Sequence, residues 1–467
     1  RQTSSYTADY MTQGLIARVQ YDYGGKYFLS GSYRHDGSSR FAPGHRWGNF
    51  GSVGAAWLIS SEGFMDEISW VEMLKIKASY GIQGNDNLYP GANYARHYYP
   101  YADNYTHSYN EESGEYSLEL DYKGNEELTW ESSHSFNAGL DFELFGYWLN
   151  GSVEYFHRKT VDLLYSKDVP LSSGNPTGYY PINVGSILND GFEVNLNGHF
   201  VKSMNVDWGW NVNLSHYRNK ILSLDPSVSE EGIKGGNYIY KVGGSLYEAY
   251  MRRYAGVDPE TGKALWYKKE LDIERNWTGR SVTTDIFSEA DQYEIGSVLP
   301  LVYGGFGTSL KAYGIDLNAS FSFQLGGRYY DGTYQALMHT SSGVGTAWHK
   351  DVLNSWSVEN PDSNIPRLDG DTSVGQTATD NYLISSNYLS INNITLGYTF
   401  PSSITDVMKI EQLRIYVAGD NLAVFSARKG VDPRYSMGLG SFTSGSGLNS
   451  GSYSAMRTIT AGVTLTF

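Results

Sequence analysis

The last thirteen residues alternate strictly between apolar and polar side chains. One parity carries Ile459, Ala461, Val463, Leu465 and Phe467, and the other carries threonines and one glycine. Since successive side chains of a strand point to opposite faces, this stretch predicts a strand with one apolar and one polar face. Such a strand fits a half-buried soluble sheet or the wall of a transmembrane barrel. The terminal aromatic ring favours the barrel, because aromatic rings collect at membrane interfaces.

The same alternation recurs along the whole chain. Further apolar sets begin at Leu15, Leu74, Phe136, Phe192 and Leu317, and the positions between their members carry Asn, Ser, Thr, Gln and charged residues, which suit a wet barrel interior. Thirteen strands are predicted, near residues 11–23, 26–36, 47–59, 70–82, 129–144, 147–165, 187–200, 207–222, 301–312, 314–326, 387–400, 410–421 and 455–467.

One predicted strand changes parity part-way along its length. Its apolar residues are odd-numbered at Leu389 and Ile391 but even-numbered from Ile394 onward. A single extra residue would place all these apolar side chains on one face of the sheet. A β-bulge supplies it, because it places two residues of one strand opposite one residue of its neighbour. The sequence therefore predicts a bulge at Asn392–Asn393.

The connections between the predicted strands alternate between short and long. The long ones cover about 84–128, 166–186, 223–300, 327–386 and 422–454. Short turns on the periplasmic side and long loops outside are typical of an outer-membrane barrel. We therefore expect the fold to be all-β, a transmembrane antiparallel β-barrel, with residues 1–467 as one part of a single barrel domain. Thirteen is odd whereas bacterial barrels have even strand numbers, so further strands are expected upstream.

Composition narrows the location and the partners. The chain has 53 Gly, 40 Tyr and no Cys, and its net charge is -15. No window approaches the roughly 18 apolar residues of a membrane helix. The negative charge excludes nucleic acid as a partner, because phosphates would be repelled. The polar start at residues 1–5 carries no signal peptide, so an outer-membrane location requires an N-terminal part beyond this sequence.

The sequence does not predict an enzyme, a cofactor site or a metal site. The Asp-containing segments at Asp36-Gly37, residues 258–262 and residues 369–371 lack the ligand spacing of a calcium loop and fit ordinary turns. The ten His are scattered, and no Gly-x-Ser-x-Gly string marks a nucleophile.

Aromatic side chains crowd the predicted long loops. Rigid aromatic faces stack on sugar rings or clamp peptide side chains, so these residues are candidate ligand contacts. The alternative is that they pack the loops against one another, as large folded loops require. The substrate-binding candidates are Tyr94, Tyr98, Tyr99, Tyr101, Tyr105, Trp266 and Trp348.

Charged residues on the polar faces of the strands are candidates for the barrel interior. They would contact the ligand or only line the water there. The candidates are Arg18, Lys75, Lys77, Asp141, Glu193 and Arg414.

Seven segments, in this order and spacing, resemble the C-terminal half of SusC/RagA-type TonB-dependent outer-membrane transporters of Bacteroidetes. They are YRHDGSSRF (33–41), RWGNFGSVGAAW (46–57), LKIKASYGIQGN (74–85), NVGSILNDGFEVNLN (183–197), AGVDPETGKALWY (255–267), NYLSINNITLGYTFP (387–401) and LRIYVAGDNLAVF (413–425). The resemblance implies a 22-stranded barrel in the outer membrane, of which this chain holds strands ten to twenty-two. It also implies that the plug domain and the first nine strands lie upstream.

The resemblance further implies import of oligosaccharides or oligopeptides with energy from the TonB–ExbB–ExbD complex. A SusD-like surface lipoprotein would cap the barrel, meeting the loops at 84–128, 223–300 and 327–386. The VDPETG hairpin would stand above the membrane within the 223–300 loop. The alternatives are a barrel scaffold without transport, a siderophore-type TonB receptor and a soluble β-rich lectin.

Overall fold

The computed structural model describes residues 9–88, 98–110, 114–226, 232–274, 276–338, 345, 347–368, 379–407, 409–430, 432–435 and 455–467. Strands dominate these residues. They are β1 (Thr12–Tyr23), β2 (Tyr27–Ser38), β3 (Trp47–Leu58), β4 (Val71–Asn85), β5 (Asn104–Asn110), β6 (Glu115–Tyr122), β7 (Glu131–Leu144), β8 (Leu149–Asp168), β9 (Tyr179–Lys202), β10 (Val206–Ser223), β11 (Ile233–Gly235), β12 (Tyr238–Tyr240), β13 (Glu248–Arg252), β14 (Tyr254–Val257), β15 (Ala264–Leu271), β16 (Trp277–Thr284), β17 (Gln292–Ser297), β18 (Val302–Ala312), β19 (Ile315–Leu325), β20 (Arg328–Tyr330), β21 (Leu383–Ser385), β22 (Tyr388–Thr399), β23 (Gln412–Ser426) and β24 (Thr458–Thr466).

The helices are few and short. Among the described residues two are α-helical, α1 (Gly332–Leu337) and α2 (Ser402–Thr405). Single 3₁₀ turns cover Ile59–Ser61, Gly63–Met65, Leu171–Ser173, Phe287–Glu289, Lys350–Asn354, Asp380–Tyr382 and Pro433–Tyr435. Within the described residues, no helix has the length and apolar character needed to cross a membrane.

One sheet contains thirteen strands, in the order β1-β2-β3-β4-β7-β8-β9-β10-β18-β19-β22-β23-β24. Each neighbour in that order is also the next main-sheet strand along the chain. The thirteen strands predicted from alternation are confirmed. The largest boundary error concerns β9, which begins at Tyr179 and not near 187. The expected loop at 166–186 is therefore only residues 169–178, because the side chains at the start of β9 are half-buried or buried and do not alternate.

The chain divides into two compact units, which we describe separately. The first comprises Arg1–Val194 with Asn219–Glu231 and Lys241–Gly243, and the second comprises Asn195–Arg218, Gly232–Tyr240 and Gly244–Phe467.

In the first unit the apolar face of the main sheet is exposed. Strand pairing aligns Gly31, Val53, Tyr80 and Phe136 in one row across β2, β3, β4 and β7. Val53 is 58% exposed although it lies in the middle of its strand. A soluble sheet buries such a face, so this continuous apolar surface is typical of a wall that faces lipid.

The second unit repeats this arrangement. Leu317, Leu396, Val417 and Ala461 align across β19, β22, β23 and β24. Leu396 is 54% exposed. The alternation in the last thirteen residues therefore marks an exposed apolar face, while the threonines of β24 lie on the other face.

The predicted bulge is confirmed. Ser320 pairs with Asn393 and Phe321 pairs with Ile391, so Asn392 is the additional residue in β22. The register between β22 and β23 shifts at the same place. The extra residue lets the apolar side chains before and after the bulge share one face.

The long connections all lie at one edge of the main sheet. Consecutive connections of an antiparallel meander alternate between its two edges. Residues 24–26, 59–70, 145–148, 203–205, 313–314 and 400–411 form the short set, and residues 39–46, 86–130, 169–178, 224–301, 326–387 and 427–457 form the other. The alternation of loop length expected from the sequence is therefore present, with 39–46 and 169–178 as the shorter members of the long set.

The long connections carry small sheets of their own. Residues 86–130 contain the hairpin β5–β6, and residues 224–301 contain the sheets β11-β12-β13-β17 and β14-β15-β16. Strands β20 and β21 pair within residues 326–387. The VDPETG turn joins β14 to β15 outside the main sheet, which confirms that the hairpin belongs to the loop and not to the wall.

Candidate functional site

The polar face of the first unit is lined by small hydroxyl residues and a half-buried charge cluster. Ser32, Ser52, Gly81 and Ser135 form one row across four strands, and the Ser32 and Ser52 hydroxyl oxygens are 2.8 Å apart. Below this row a concave region of about 720 Å³ is lined by Lys77, among other residues. Small side chains leave this surface open to water and ligand.

Lys77 joins two carboxylates on this face. Its Nζ lies 2.9 Å from Asp141 Oδ1 and 2.6 Å from Glu154 Oε1. Lys77 and Asp141 are both candidates predicted from the sequence and the fold brings them together, whereas Glu154 was not predicted. The polar residue between Val153 and Tyr155 was the available signal. The three groups carry one net negative charge, so this part of the wall suits a cationic or hydrogen-bonding contact.

Of the other polar-face candidates, Lys75 adjoins this cluster, because it pairs with Asp141 in the strand register and lines the same concave region. Lys75 Nζ is 5.7 Å from the centre of the Phe28 ring. Arg18 pairs with Ser32 in the strand register and is exposed, as is Glu193 in β9.

In the second unit Arg414 is held by a carboxylate that the sequence analysis missed. Arg414 Nε and Nη2 donate to the two carboxylate oxygens of Asp316 at 2.9 and 2.5 Å. Gly397 lies between them, and a Cβ at that position would overlap the Asp316 carboxylate. Arg414 is therefore committed to an ion pair within the wall, and the glycine makes the pair possible.

The bulge carries a second polar cluster of the same unit. Arg434 Nη1 donates to Ser390 Oγ at 2.9 Å and to Asn392 Oδ1 at 3.2 Å. Its Nε and Nη2 donate to Asp432, which is buried. This arginine attaches the connection 427–457 to the bulged strand.

At the long-loop edge of the first unit, Arg40 organises a network. Arg40 Nη1 donates to Asp86 Oδ1 at 3.3 Å, and its guanidinium lies 4.5 Å from the centre of the Tyr10 ring. Tyr10 and Ser38 donate to Asp86 Oδ2 at 2.8 and 2.6 Å. Burial, and then the hydrogen bond to the Asp86 carboxylate, raise the pKa of the Tyr10 hydroxyl.

The tyrosines of the 84–128 loop surround this network in part. The Tyr98 ring lies 6.3 Å from the Tyr10 ring, and the Tyr99 hydroxyl accepts from Asp9 N at 3.2 Å. Tyr101 is half-buried, whereas Tyr105 is exposed on β5. Tyr94 lies outside the described residues. The fold thus brings Tyr98 and Tyr99 beside Tyr10 and Arg40, neither of which the sequence analysis had selected.

The two tryptophan candidates occupy different environments. Trp266 is only 1% exposed and packs with Ala264, Ala290 and Phe287 in a small core. An indole so enclosed offers no face to a ligand, so the packing alternative applies to Trp266. Trp348 is 45% exposed, so its ring remains accessible to a ligand.

The VDPETG turn is stabilised by its own aspartate. Asp258 accepts from Glu260 N at 3.0 Å and from Thr261 Oγ1 at 2.7 Å. The Thr261 hydroxyl and the backbone N–H donors lower the pKa of the Asp258 carboxyl. Trp356 packs against Gly262 and donates to the Pro259 carbonyl at 3.1 Å. The geometry is that of a turn, as expected.

Comparison with known proteins identifies this architecture. The family model for a TonB dependent receptor-like β-barrel matches residues 1–328. The chain belongs to this family. TonB-dependent receptor barrels are outer-membrane proteins, and the wall with an exposed apolar face is the part that such a barrel places in lipid.

Similar members of the family come from Bacteroidetes. TonB-dependent receptor P26 of Formosa agariphila is 30% identical over 100% of this chain and 47% of its own length. TonB-dependent receptor SusC of Bacteroides thetaiotaomicron is 27% identical over 94% of this chain and 43% of its own length. The chain thus spans about half the length of the curated relatives that it matches.

Among solved structures, the RagAB peptide importer in its closed-closed state is similar. It superposes with a TM-score of 0.77 at 27% identity, covering 98% of this chain and 48% of the RagAB chain. Sequence and structure therefore place this TonB-dependent receptor barrel with the SusC/RagA type, as the resemblance implied.

Proposed function

We propose that this chain is the C-terminal part of the barrel of an outer-membrane importer that takes up oligosaccharides or oligopeptides. Energy would come from the TonB–ExbB–ExbD complex through a part of the protein outside this sequence. The arrangement of the connections carries the proposal: every long one leaves the same edge of the main sheet, and several fold into small sheets of their own. Folded loops at one end of a barrel supply the recognition surface that a simple pore lacks.

The ligand would be captured first by aromatic residues of these connections. Tyr98, Tyr99, Tyr101, Tyr105 and Trp348 are the proposed contacts. Exposure of the Tyr105 and Trp348 rings supports this role, since exposed aromatic faces stack on sugars and on peptide side chains. Tyr94 stays in the proposed set on its sequence position alone, and Trp266 leaves it because its ring is buried.

A SusD-like surface lipoprotein would cover the same surface. The similarity to the RagAB peptide importer and to SusC supports this class of partner. The hairpin β5–β6 supports it too, because Tyr109, Tyr116 and Leu118 share one exposed face. Affinity purification of the full-length protein from outer membranes is expected to recover one such lipoprotein.

Uptake measurements test the importer assignment. A strain lacking the gene should lose growth on one class of defined glycans or peptides, and the intact gene should restore it only when the proton-motive force is present. Normal uptake together with a defect in another surface complex would favour the scaffold alternative. Loss of iron-chelate uptake, with no co-purifying lipoprotein, would favour the siderophore alternative.

Replacing Tyr98, Tyr99 and Tyr101 together with Ala tests the loop contacts. Loss of stacking worth about 1 kcal/mol per ring predicts at least a tenfold weaker ligand affinity, with normal barrel assembly. The matched control is Tyr313→Ala, which removes an exposed ring from a short connection at the opposite edge. Unchanged affinity in the triple variant would remove these tyrosines from the ligand site.

A further inference from the structure

The sheet β14-β15-β16 has two faces of different character, both within the second unit. One face buries Trp266. Its neighbour Tyr267 points to the other face, together with Lys269, because adjacent residues of a strand face opposite ways. Arg253, Trp277 and Tyr293 complete this second surface, which we call the basic-aromatic face.

The cations and rings of the basic-aromatic face alternate in space. The Arg253 guanidinium lies 5.1 Å from the centre of the Tyr267 ring and 5.7 Å from that of Tyr293. Lys269 Nζ lies 5.4 Å from the centre of the Tyr293 ring and also 5.4 Å from that of Trp277. The two positive charges therefore converge on one shared ring.

The positive charges of this face are weakly compensated. Arg253 has one distant ion pair, with 3.9 Å between its Nε and Asp380 Oδ2. Lys269 uses its backbone N–H to bond Asp291, and over the described part of the chain no carboxylate lies within 4.0 Å of its Nζ. Because no described carboxylate neutralises Lys269, an anionic group of a ligand can take that place.

The opposite face of the same strand provides the contrast. Lys268 Nζ lies 2.7 Å from Glu289 Oε2 on the face that buries Trp266. Lys263, at the start of the same hairpin, lies 2.7 Å from Asp285. In a chain with a net charge of -15, carboxylates are abundant, so the weak pairing on the basic-aromatic face is a local property.

The rings of the face suit a sugar. Trp277 is 52% exposed, and its indole N–H already donates to the Arg280 carbonyl at 2.8 Å, which fixes the ring. The Tyr293 hydroxyl bonds Ser281 Oγ at 3.0 Å, but this ring is only 9% exposed and forms the base of the face, so Trp277 is the ring that offers stacking area. Fixed aromatic faces offer stacking area at little cost in conformational entropy.

We propose that the basic-aromatic face binds an anionic oligosaccharide. A carboxylate or sulfate group of the sugar pairs with Lys269, and a sugar ring stacks on Trp277, whose ring centre lies 5.4 Å from Lys269 Nζ. This proposal rests on the importer function and names its substrate class. Side chains of a sheet face form the site. A peptide is instead expected to pair with a free strand edge through its backbone, so the arrangement favours a glycan.

Calorimetry with the full-length protein in detergent tests the proposal without requiring transport. The probes are tetragalacturonate, a sulfated galactotetraose, neutral galactotetraose and tetraglutamate. Lys269→Gln should weaken binding of at least one anionic sugar about three- to fivefold. Lys268→Gln, the matched control on the opposite face, should change that affinity less than twofold. Added NaCl should weaken the wild-type affinity for the anionic sugar.

Each other outcome rejects the proposal. If the wild type and Lys269→Gln bind both anionic sugars with equal affinity, the anion contact lies elsewhere. If neither anionic sugar binds, the protein has no site for them. Binding of tetraglutamate alone, with the same dependence on Lys269, identifies a site for acidic peptides. Because the assay reports binding and not uptake, loss of the anion site and failure of the importer function give separate results.

Discussion

At the scale of single residues, burial decides which aromatic side chains can bind a ligand. Trp266 and Tyr267 are neighbours in β15, yet one is enclosed and the other faces the basic-aromatic surface. The aromatic composition of a loop does not reveal which of its alternate side chains pack into the local core and which face outward. The same holds for Lys77 and Arg414, whose carboxylate partners Glu154 and Asp316 come from other strands.

Replacing Trp266 with Ala should destabilise the sheet β14-β15-β16 by about 3 to 5 kcal/mol, because a fully buried indole is lost and a cavity remains. Hydrogen exchange of residues 264–284 measures the change. Trp348→Ala is the control, since its ring is largely exposed and its loss should alter ligand capture more than exchange. Equal protection in Trp266→Ala and the wild type would contradict the packing role.

Gly262 is required for the VDPETG turn to pack on Trp356. Its φ of 72° lies in the left-handed region, and a Cβ there would overlap the indole. Gly262→Ala should therefore lower the local stability of the hairpin by about 1 to 3 kcal/mol, read as faster proteolysis between β14 and β15. Gly279→Ala separates the two causes, because Gly279 has a similar φ with open space around it. Equal effects of the two substitutions would show that the contact with Trp356 contributes nothing.

At the scale of elements, periodicity located the wall strands but not the small sheets of the connections. A wall strand of nine or more residues repeats its alternation often enough to be recognised, and contact with lipid on one face requires apolar side chains at every second position. Strands such as β12 or β20 have three residues, and their side chains pack into local cores on either face. The pairing of these short strands depends on contacts between residues distant in sequence, so the two-residue period of apolar side chains does not predict them.

Deleting Asn392 tests whether the bulge sets the facing of β22. Without the extra residue, either Leu396 and Tyr398 or the residues before the bulge must exchange faces, which exposes polar groups to lipid. We expect assembly into a heat-modifiable barrel to be largely lost. Asn392→Ala keeps the residue count and loses only its contacts with Ser322 and Arg434, so it should assemble, with a cost of about 1 to 3 kcal/mol. Normal assembly of the deletion would refute the bulge's role.

At the scale of the whole molecule, the sidedness of the connections is the property on which the importer function depends. The sequence contains no Cys, so single cysteines can report the side on which each connection lies. In intact cells an impermeant maleimide should label Leu171→Cys, which is exposed in the connection 169–178 and outside the surface proposed for the lipoprotein. It should spare Met204→Cys, whose side chain is fully exposed in a short connection. Labelling of Met204→Cys after permeabilisation is the control. Labelling of both positions in intact cells would overturn the topology.

The sequence by itself determined the strands of the wall, their number, the bulge and the alternation of short with long connections. These features follow from local periodicity and from the spacing of turns, which a chain displays without being folded. Only the tertiary structure decided which charges pair across strands and which loop rings are enclosed. It also decided that Arg253 and Lys269 converge on Tyr293. Those contacts join residues far apart in the chain, and no local pattern encodes the packing that brings them together.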